Sequence, residues 1–467
     1  MKFLNYFEKR ERTYPQAVKG RFRSIKNISN IIFLLIFFLV PFIRWDHGAG
    51  LATQAVLIDI VNSRAYFFFI KIWPEEVYYL AGILIFAAIA LFFITSLFGR
   101  VWCGYSCPQT VWTDIFIKVE RFFQGDRNQR IILDRKKSLE KFLRKFATHT
   151  VWVIISLITG FGFVLYFNDA FLVTRNLLNF DLSPAITGWI LGIASMTYIM
   201  AGFAREQVCN YMCPYARFQS VMFDEDTLII TYDQKRGEPR EKYKMGSSLE
   251  NRGHCIDCKQ CVVVCPQNID IRNGLQMECI ACGLCVDACD ETMKKIGLPT
   301  GLIRYDTGHH IKEPRDDKTR FRILRPRTFY YSFILALIGG IIIYNLTFKS
   351  ELDLKVIPNR NPLFVVLSNG EIRNGYEVKI YNKATENKSY QLEISGIKDL
   401  NIKIPNNPDF DLNNIVVKND SLVEFKIYIS TKKENLSTSG KDKLYFQIKE
   451  KDQFKFEKEG NTVFISK

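Results

Sequence analysis

Cys255-Ile256-Asp257-Cys258-Lys259-Gln260-Cys261-Val262-Val263-Val264-Cys265-Pro266 and Cys279-Ile280-Ala281-Cys282-Gly283-Leu284-Cys285-Val286-Asp287-Ala288-Cys289-Asp290 are two copies of one rhythm. Eight of the chain's 12 cysteines fall in these two runs. A four-iron cubane needs four thiolates, and in two-cluster ferredoxins the fourth cysteine of each run crosses to the other cluster. The spacing therefore predicts one [4Fe-4S] cluster on Cys255, Cys258, Cys261 and Cys289, and a second on Cys279, Cys282, Cys285 and Cys265. Paired zinc ribbons also use Cys-x-x-Cys, but zinc gives no reason for three close cysteines and a distant fourth, twice over. Pro266 closes the first run and Asp290 the second; an acid there lowers a cluster's potential without removing a ligand.

Outward from this unit the chain alternates between apolar and polar stretches, so its mean hydropathy of −0.02 describes neither. Five runs carry no charge: Ile28 to Ile43, Val77 to Phe98, Val151 to Phe167, Ala185 to Ala204 and Phe329 to Phe348. A spanning helix takes about 20 apolar residues, so five spans are expected. The start of the chain lacks the small-residue site of a cleavable signal. Residues 1–26 hold eight Lys or Arg and residues 99–149 hold 11, against three in 44–76 and one in 168–184. Positive loops stay inside. The expected topology puts 1–27 and 205–328 in the cytoplasm and 349–467 outside, with every cysteine on the reducing side, where metal-ligating or redox thiols remain free. The net charge of +15 then reflects topology and attraction to anionic lipid. No nucleic-acid-reading module accompanies it.

The remaining four cysteines form a second repeat. Phe98-Gly99-Arg100-Val101-Trp102-Cys103-Gly104-Tyr105-Ser106-Cys107-Pro108 follows the second apolar run, and Phe203-Ala204-Arg205-Glu206-Gln207-Val208-Cys209-Asn210-Tyr211-Met212-Cys213-Pro214 follows the fourth. Each has an arginine at the membrane edge, then Cys-x-Tyr-x-Cys-Pro. Parallel repeats bring equivalent elements together, so Cys103, Cys107, Cys209 and Cys213 are expected to converge. Pro108 and Pro214 turn the preceding cysteines away from helix and suit the first position of a new one. Val111, Ile115, Phe116, Val119, Phe122 and Phe123 then recur with a helical period, predicting a surface helix in the membrane interface. Soft thiolates select copper(I), zinc or iron-sulfur clusters, and spacing alone does not choose among them. Small buried hydrophobes are the other use of cysteine, but two matched pairs fit it poorly.

The five histidines, His47, His149, His254, His309 and His310, all lie outside the apolar runs, which argues against a b-type haem. His254, His309 and His310 read as solvated surface residues, with tuning or binding a nearby group the alternative, and an outer copper contact at Asp46 and His47 is a minor alternative. No Gly-x-Gly-x-x-Gly or phosphate loop is present, so electrons come from a protein, a quinol or a partner's flavin. Residues 350–467 alternate apolar and polar positions, as in Glu377 to Tyr381, Tyr390 to Ile394, Val423 to Ile429 and Leu444 to Ile448. This period predicts an antiparallel sandwich without catalytic residues, a docking or scaffolding module.

Taken in order, the cysteine pairs, five spans, double ferredoxin run and β tail resemble the FixG/RdxA/CcoG family of cytochrome oxidase accessory proteins. Gly99 to Tyr105 with Cys107 to Trp112, Arg205 to Cys209 with Tyr211 to Pro214, and Cys279 to Cys285 carry the likeness most specifically. The resemblance implies a multi-domain integral membrane protein of a bacterial inner membrane. Its parts would be a basic amino terminus (1–27), a four-span α-helical domain (28–204), a cytoplasmic segment (205–328) with an α+β ferredoxin domain near 250–300, a fifth span (329–348) and an exported immunoglobulin-like β domain (349–467). It also implies reduction of copper(II) to copper(I) during assembly of the cbb-type oxidase; Cys103, Cys107, Cys209 and Cys213 are the candidates for the catalytic, copper-facing group. Copper ion or copper-delivery proteins, oxidase assembly factors, membrane lipid, an unidentified electron donor and a second copy of the chain are the expected partners. The alternatives are a quinol-linked membrane ferredoxin serving a respiratory partner, and a passive assembly scaffold.

Overall fold

The computed structural model describes residues 13–48, 51–242, 252–312, 321–384, 386–405, 410–451 and 458–467. The first part of the basic amino terminus, 1–12, lies outside the described residues. The chain forms two units, one of 1–47 with 52–343 and one of 48–51 with 344–467.

Five helices are long and apolar enough to cross a membrane: Arg21–Phe42, Pro74–Phe98, Leu139–Val164, Pro184–Ala204 and Pro326–Thr347. Each expected apolar run falls on one of them. The first begins earlier than apolarity alone predicts, because Arg23, Lys26 and Asn30 are buried on it against the carboxylate of Asp114. Arg23 forks onto that carboxylate at 2.7 and 2.9 Å and Asn30 donates to it at 3.0 Å. The third also starts early, where the Ser138 hydroxyl accepts from the Lys141 amide and caps the helix. His149 therefore lies on this helix although it precedes the uncharged run. Ser183 caps the fourth in the same way, with Pro184 in its first turn. Small residues let spans close on one another: Gly160 lies against the Ile190 carbonyl, and a Cβ on Gly162 would meet the Phe38 ring at 2.7 Å.

At one end of these helices Val56–Asp59, Arg64–Phe67 and Ile70–Ile72 form a small antiparallel sheet, tied down by the Ile58 amide on the Tyr166 carbonyl. At the other end lies Pro108–Gln124. It was expected on the surface; instead Val111, Phe116 and Ile117 are buried, and Phe116 stacks on Trp152 of the third span at 5.0 Å. Its polar face is buried too. Asp114 pairs with the first span, and Glu120 is held between Arg130 at 2.9 Å and Arg205 at 2.7 Å. Buried charges require such partners, and none of them is near in sequence.

The second unit is a two-sheet β domain. Its longest strands, Ile372–Asn382 and Ser421–Thr431, pair antiparallel over their whole length, with Val378 opposite Phe425 and Ile380 opposite Val423. The other sheet pairs Lys388–Ser395 and Lys458–Ile465 on either side of Lys441–Glu450. Tyr376, Val378, Ile380, Ile427, Ile429, Leu444, Phe446 and Ile448 are fully buried between the sheets, as period-2 alternation requires.

Candidate functional site

The ferredoxin cysteines sit on two loops with the same backbone signature. In Cys255 to Cys261 the residues flanking the middle cysteine, Asp257 and Lys259, take φ of 49° and 56°; in Cys279 to Cys285 the matching Ala281 and Gly283 take 51° and 74°. Three of these four are not glycine, so the left-handed turns are held against a steric cost. Alternating hand curls each loop into a concave nest of amides, the form that binds anionic iron-sulfur centres. Each loop then enters a short helix, Gln260–Val263 or Leu284–Lys295. A two-stranded ribbon of Leu228–Tyr232 and Ile303–Thr307 clamps them, and the sequence pattern gave no warning of it.

Thiol proximity links the two cysteine runs to each other. Burial pushes Cys289 up to about 12, with the Cys261 and Cys258 thiols adding to it. Burial likewise pushes Cys265 up to about 12, helped by Cys282 and Cys279. The fourth cysteine of each run thus lies beside two of the first three of the other, and Cys265, Cys279, Cys282 and Cys285 line one small cavity together with Cys261. Such thiols ionise only beside concentrated positive charge, which bound iron provides. The arrangement fits cubanes, whose four thiolates bind four different irons and need not close on a point. Among the described residues no three Cys, His, Asp or Glu side chains close around a single ion.

The second cysteine group forms where the two repeats meet. Cys103 lies on the short helix Val101–Tyr105, and Cys107 takes φ −64°, ψ 128° just before the next helix. Cys209 lies on the π-turn Val208–Met212, and Cys213 takes φ −81°, ψ 110°. Burial pushes Cys103 up to about 12, with Cys107, Cys209 and Cys213 adding and Arg100 opposing. Cys209, pushed up to about 11 by burial, answers to Cys107 and Cys213 and again to Arg100. All four thiols therefore share one electrostatic neighbourhood with a buried guanidinium.

The two repeats align differently from their arginines. The left-handed residue, four before the first cysteine, is Gly99 in one copy (φ 61°, ψ −140°) and Arg205 in the other (φ 41°, ψ −112°). Arg100 thus corresponds to Glu206. The π-turn Tyr198–Ala204 absorbs the extra residue, as inserted residues do in helices. Arg100 donates to the carbonyls of Met277 and Ala216, tying the ferredoxin domain to the second repeat. Arg205 instead forks onto Glu120 at 2.7 and 3.1 Å.

This thiol group lies directly on the ferredoxin loop. A Cβ on Gly104 would stand 2.7 Å from the Ile280 oxygen and 3.0 Å from the Cys282 Cα. Tyr105 donates to the Cys282 carbonyl at 3.0 Å and Tyr305 to the Ala281 carbonyl at 2.6 Å. Cys103 packs on the apolar cluster of Val264, Ile280, Cys282, Leu284 and Ala288. Asp287 completes the junction by accepting from the Phe22 and Arg23 amides at 3.2 and 2.7 Å, a cap supplied across sequence to the first span.

Of the other expectations, His47 is buried, with its ring nitrogens on the Ala52 and Phe68 carbonyls, each at 2.7 Å. That leaves no nitrogen for an outer copper. His310 bonds Asp306 at 2.9 Å, and His254 accepts from Arg236 at 3.0 Å. Asp290 accepts from the Gly301 amide at 2.8 Å, a structural task.

Family models match three stretches: a 4Fe-4S binding domain over residues 80–130, a 4Fe-4S dicluster domain over 204–308, and the IG-like fold at the C-terminal of FixG over 342–467. The chain is 40% identical to Nitrogen fixation protein FixG of Rhizobium meliloti, covering 91% of this chain and 88% of that one. Protein RdxB of Cereibacter sphaeroides is 45% identical over 86% of each chain. Ferredoxin-type protein NapH of Haemophilus influenzae is 23% identical over 45% of this chain and 67% of its own.

Proposed function

From the FixG/RdxA/RdxB family, to which this chain belongs, we propose a membrane-bound iron-sulfur protein that reduces copper(II) to copper(I) for assembly of a cbb-type oxidase. The observation that supports this most is the seating of Gly104 and Cys103 against the loop that carries Cys279 and Cys282, with Cys209 lining a cleft beside Ile280 of the same loop. One ligand set is Cys255, Cys258, Cys261 and Cys289; the other is Cys279, Cys282, Cys285 and Cys265. When bound, the clusters supply one-electron storage. The chain's own residues do the rest. The four thiols bind copper, and because soft sulfur prefers the monovalent ion, binding the product favours reduction. Arg100 opposes the rise in thiol pKa, Gly104 permits close approach, and Tyr105, Tyr305 and Asp287 fix the distance between the two groups. We place this end of the bundle in the cytoplasm, from the charge of its loops, and the β domain outside, where it docks assembly factors.

Serine at all four positions tests the assignment. Copper reduction is lost while iron and sulfide content stay at the wild-type level. Loss of iron instead would make these thiols ligands of an iron-sulfur centre, a reading favoured by the 4Fe-4S model over residues 80–130. A second reading, a membrane ferredoxin passing electrons to a respiratory partner, is supported by the NapH likeness. Cluster oxidation by that partner without copper would distinguish it.

A further inference from the structure

A cavity of about 340 Å³ lies beside the thiol group, between the third span, the buried helix Pro108–Gln124 and the end of the fourth span. Its walls are aromatic. His149 lies nearly parallel to Phe203, 19° between planes at 5.9 Å, and meets the Trp152 edge at 5.0 Å. Its polar groups are Thr13, Glu120, Gln124, Lys145, Arg205 and His149, whose Nδ1 lies 2.9 Å from the Tyr198 hydroxyl. The volume suits one substituted ring, and the mixture suits a ring that is flat and apolar on its faces but polar at two edge oxygens. Lys145, His149 and Trp152 belong to the third of the five long apolar helices and Gly202 and Phe203 to the fourth, so the cavity lies at the ends of two helices fit to cross a bilayer. Arg205 also lines the cleft that holds Cys209 and Ile280, so one residue separates the cavity from the electron-transfer site.

We propose that this cavity binds the ring of an isoprenoid quinol and is where electrons enter the protein, an inference that rests on the electron-transfer function above. One quinol oxidised to quinone breaks two O–H bonds and releases two electrons and two protons. The electrons reduce two copper(II) ions to copper(I). One proton passes to the His149 imidazole and the other to water at the mouth of the cavity. A soluble anion is disfavoured as the occupant, because Glu120 places a carboxylate among the cations.

The test uses full-length protein in detergent with 2-heptyl-4-hydroxyquinoline N-oxide, a fluorescent quinol analogue quenched on binding. We expect saturable quenching that weakens at least tenfold in His149→Ala and in Phe203→Ala, with iron content unchanged in both. Ile193→Phe partly fills a separate apolar cavity of about 530 Å³, and should leave the quenching intact. Absence of binding, equal binding in all proteins, or loss only in Ile193→Phe would overturn the site. Copper reduction by wild-type protein that has been reduced with dithionite and then freed of it reports separately on the underlying function.

Discussion

Gly104 lies so close to Cys282 that a side chain on it would meet the Cys282 Cα at 3.0 Å, with the Ala281 oxygen at 3.1 Å. These are backbone atoms of a cluster-binding loop, and they have little room to shift. Gly104→Val should therefore prise the thiol turn from the ferredoxin loop. We expect overpacking to cost about 1–3 kcal/mol and copper reduction to fall at least tenfold. Iron content should stay near wild type, as measured by metal analysis beside a copper(I)-chelator assay.

Asp287 holds the start of the first span through the Phe22 and Arg23 amides. Asp287→Ala should cost about 1–2 kcal/mol, the range for a lost cap. Hydrogen exchange at these two amides should rise without change at the apolar centre of the span.

Asp114 gathers the charges of the first span. Although burial raises it, Lys26 and Arg23 bring its pKa down to about 2 from 3.8. A depressed carboxylate stabilises the fold fully above its unfolded pKa, near 4, and that contribution is lost as pH falls through about 2. The shift corresponds to about 2 kcal/mol. Thermal unfolding in detergent should show this acid-dependent loss in wild type and not in Asp114→Asn. The variant should also be about 3–5 kcal/mol less stable at neutral pH, since it leaves buried cations without their anion.

Ile380 is fully buried in the β domain. Ile380→Ala should destabilise that domain by about 2–5 kcal/mol and lower its unfolding transition. Copper reduction by the purified protein should persist, because all 12 cysteines lie outside this domain.

The parts legible in the sequence were those written in local spacing. Cys255 to Cys289 announce two cubanes, the uncharged runs announce five spans, and alternation through Val423 to Ile429 announces a sandwich. Long-range pairing was not legible. Arg23 and Lys26 looked like residues outside the bilayer because Asp114 is distant in sequence, and the same pairing hid the burial of Pro108–Gln124. Matching Arg100 with Arg205 misread the repeat by one residue: counted back from the first cysteine of each copy Gly99 matches Arg205, and the backbone dihedrals of the two residues agree with that register. His149 falls outside the uncharged run, which starts at Val151, but on the same helix, which begins at Leu139.

The most direct test is a single-turnover experiment on anaerobically purified protein, reduced, freed of reductant and mixed with copper(II). Cluster EPR and copper(I) are followed together. The account predicts iron and sulfide for two cubanes, with one copper(I) formed per cluster electron lost, and no such coupling when Cys103, Cys107, Cys209 and Cys213 are serine. Equal electron loss to copper in the serine variant, or zinc in place of iron in the native protein, would contradict it.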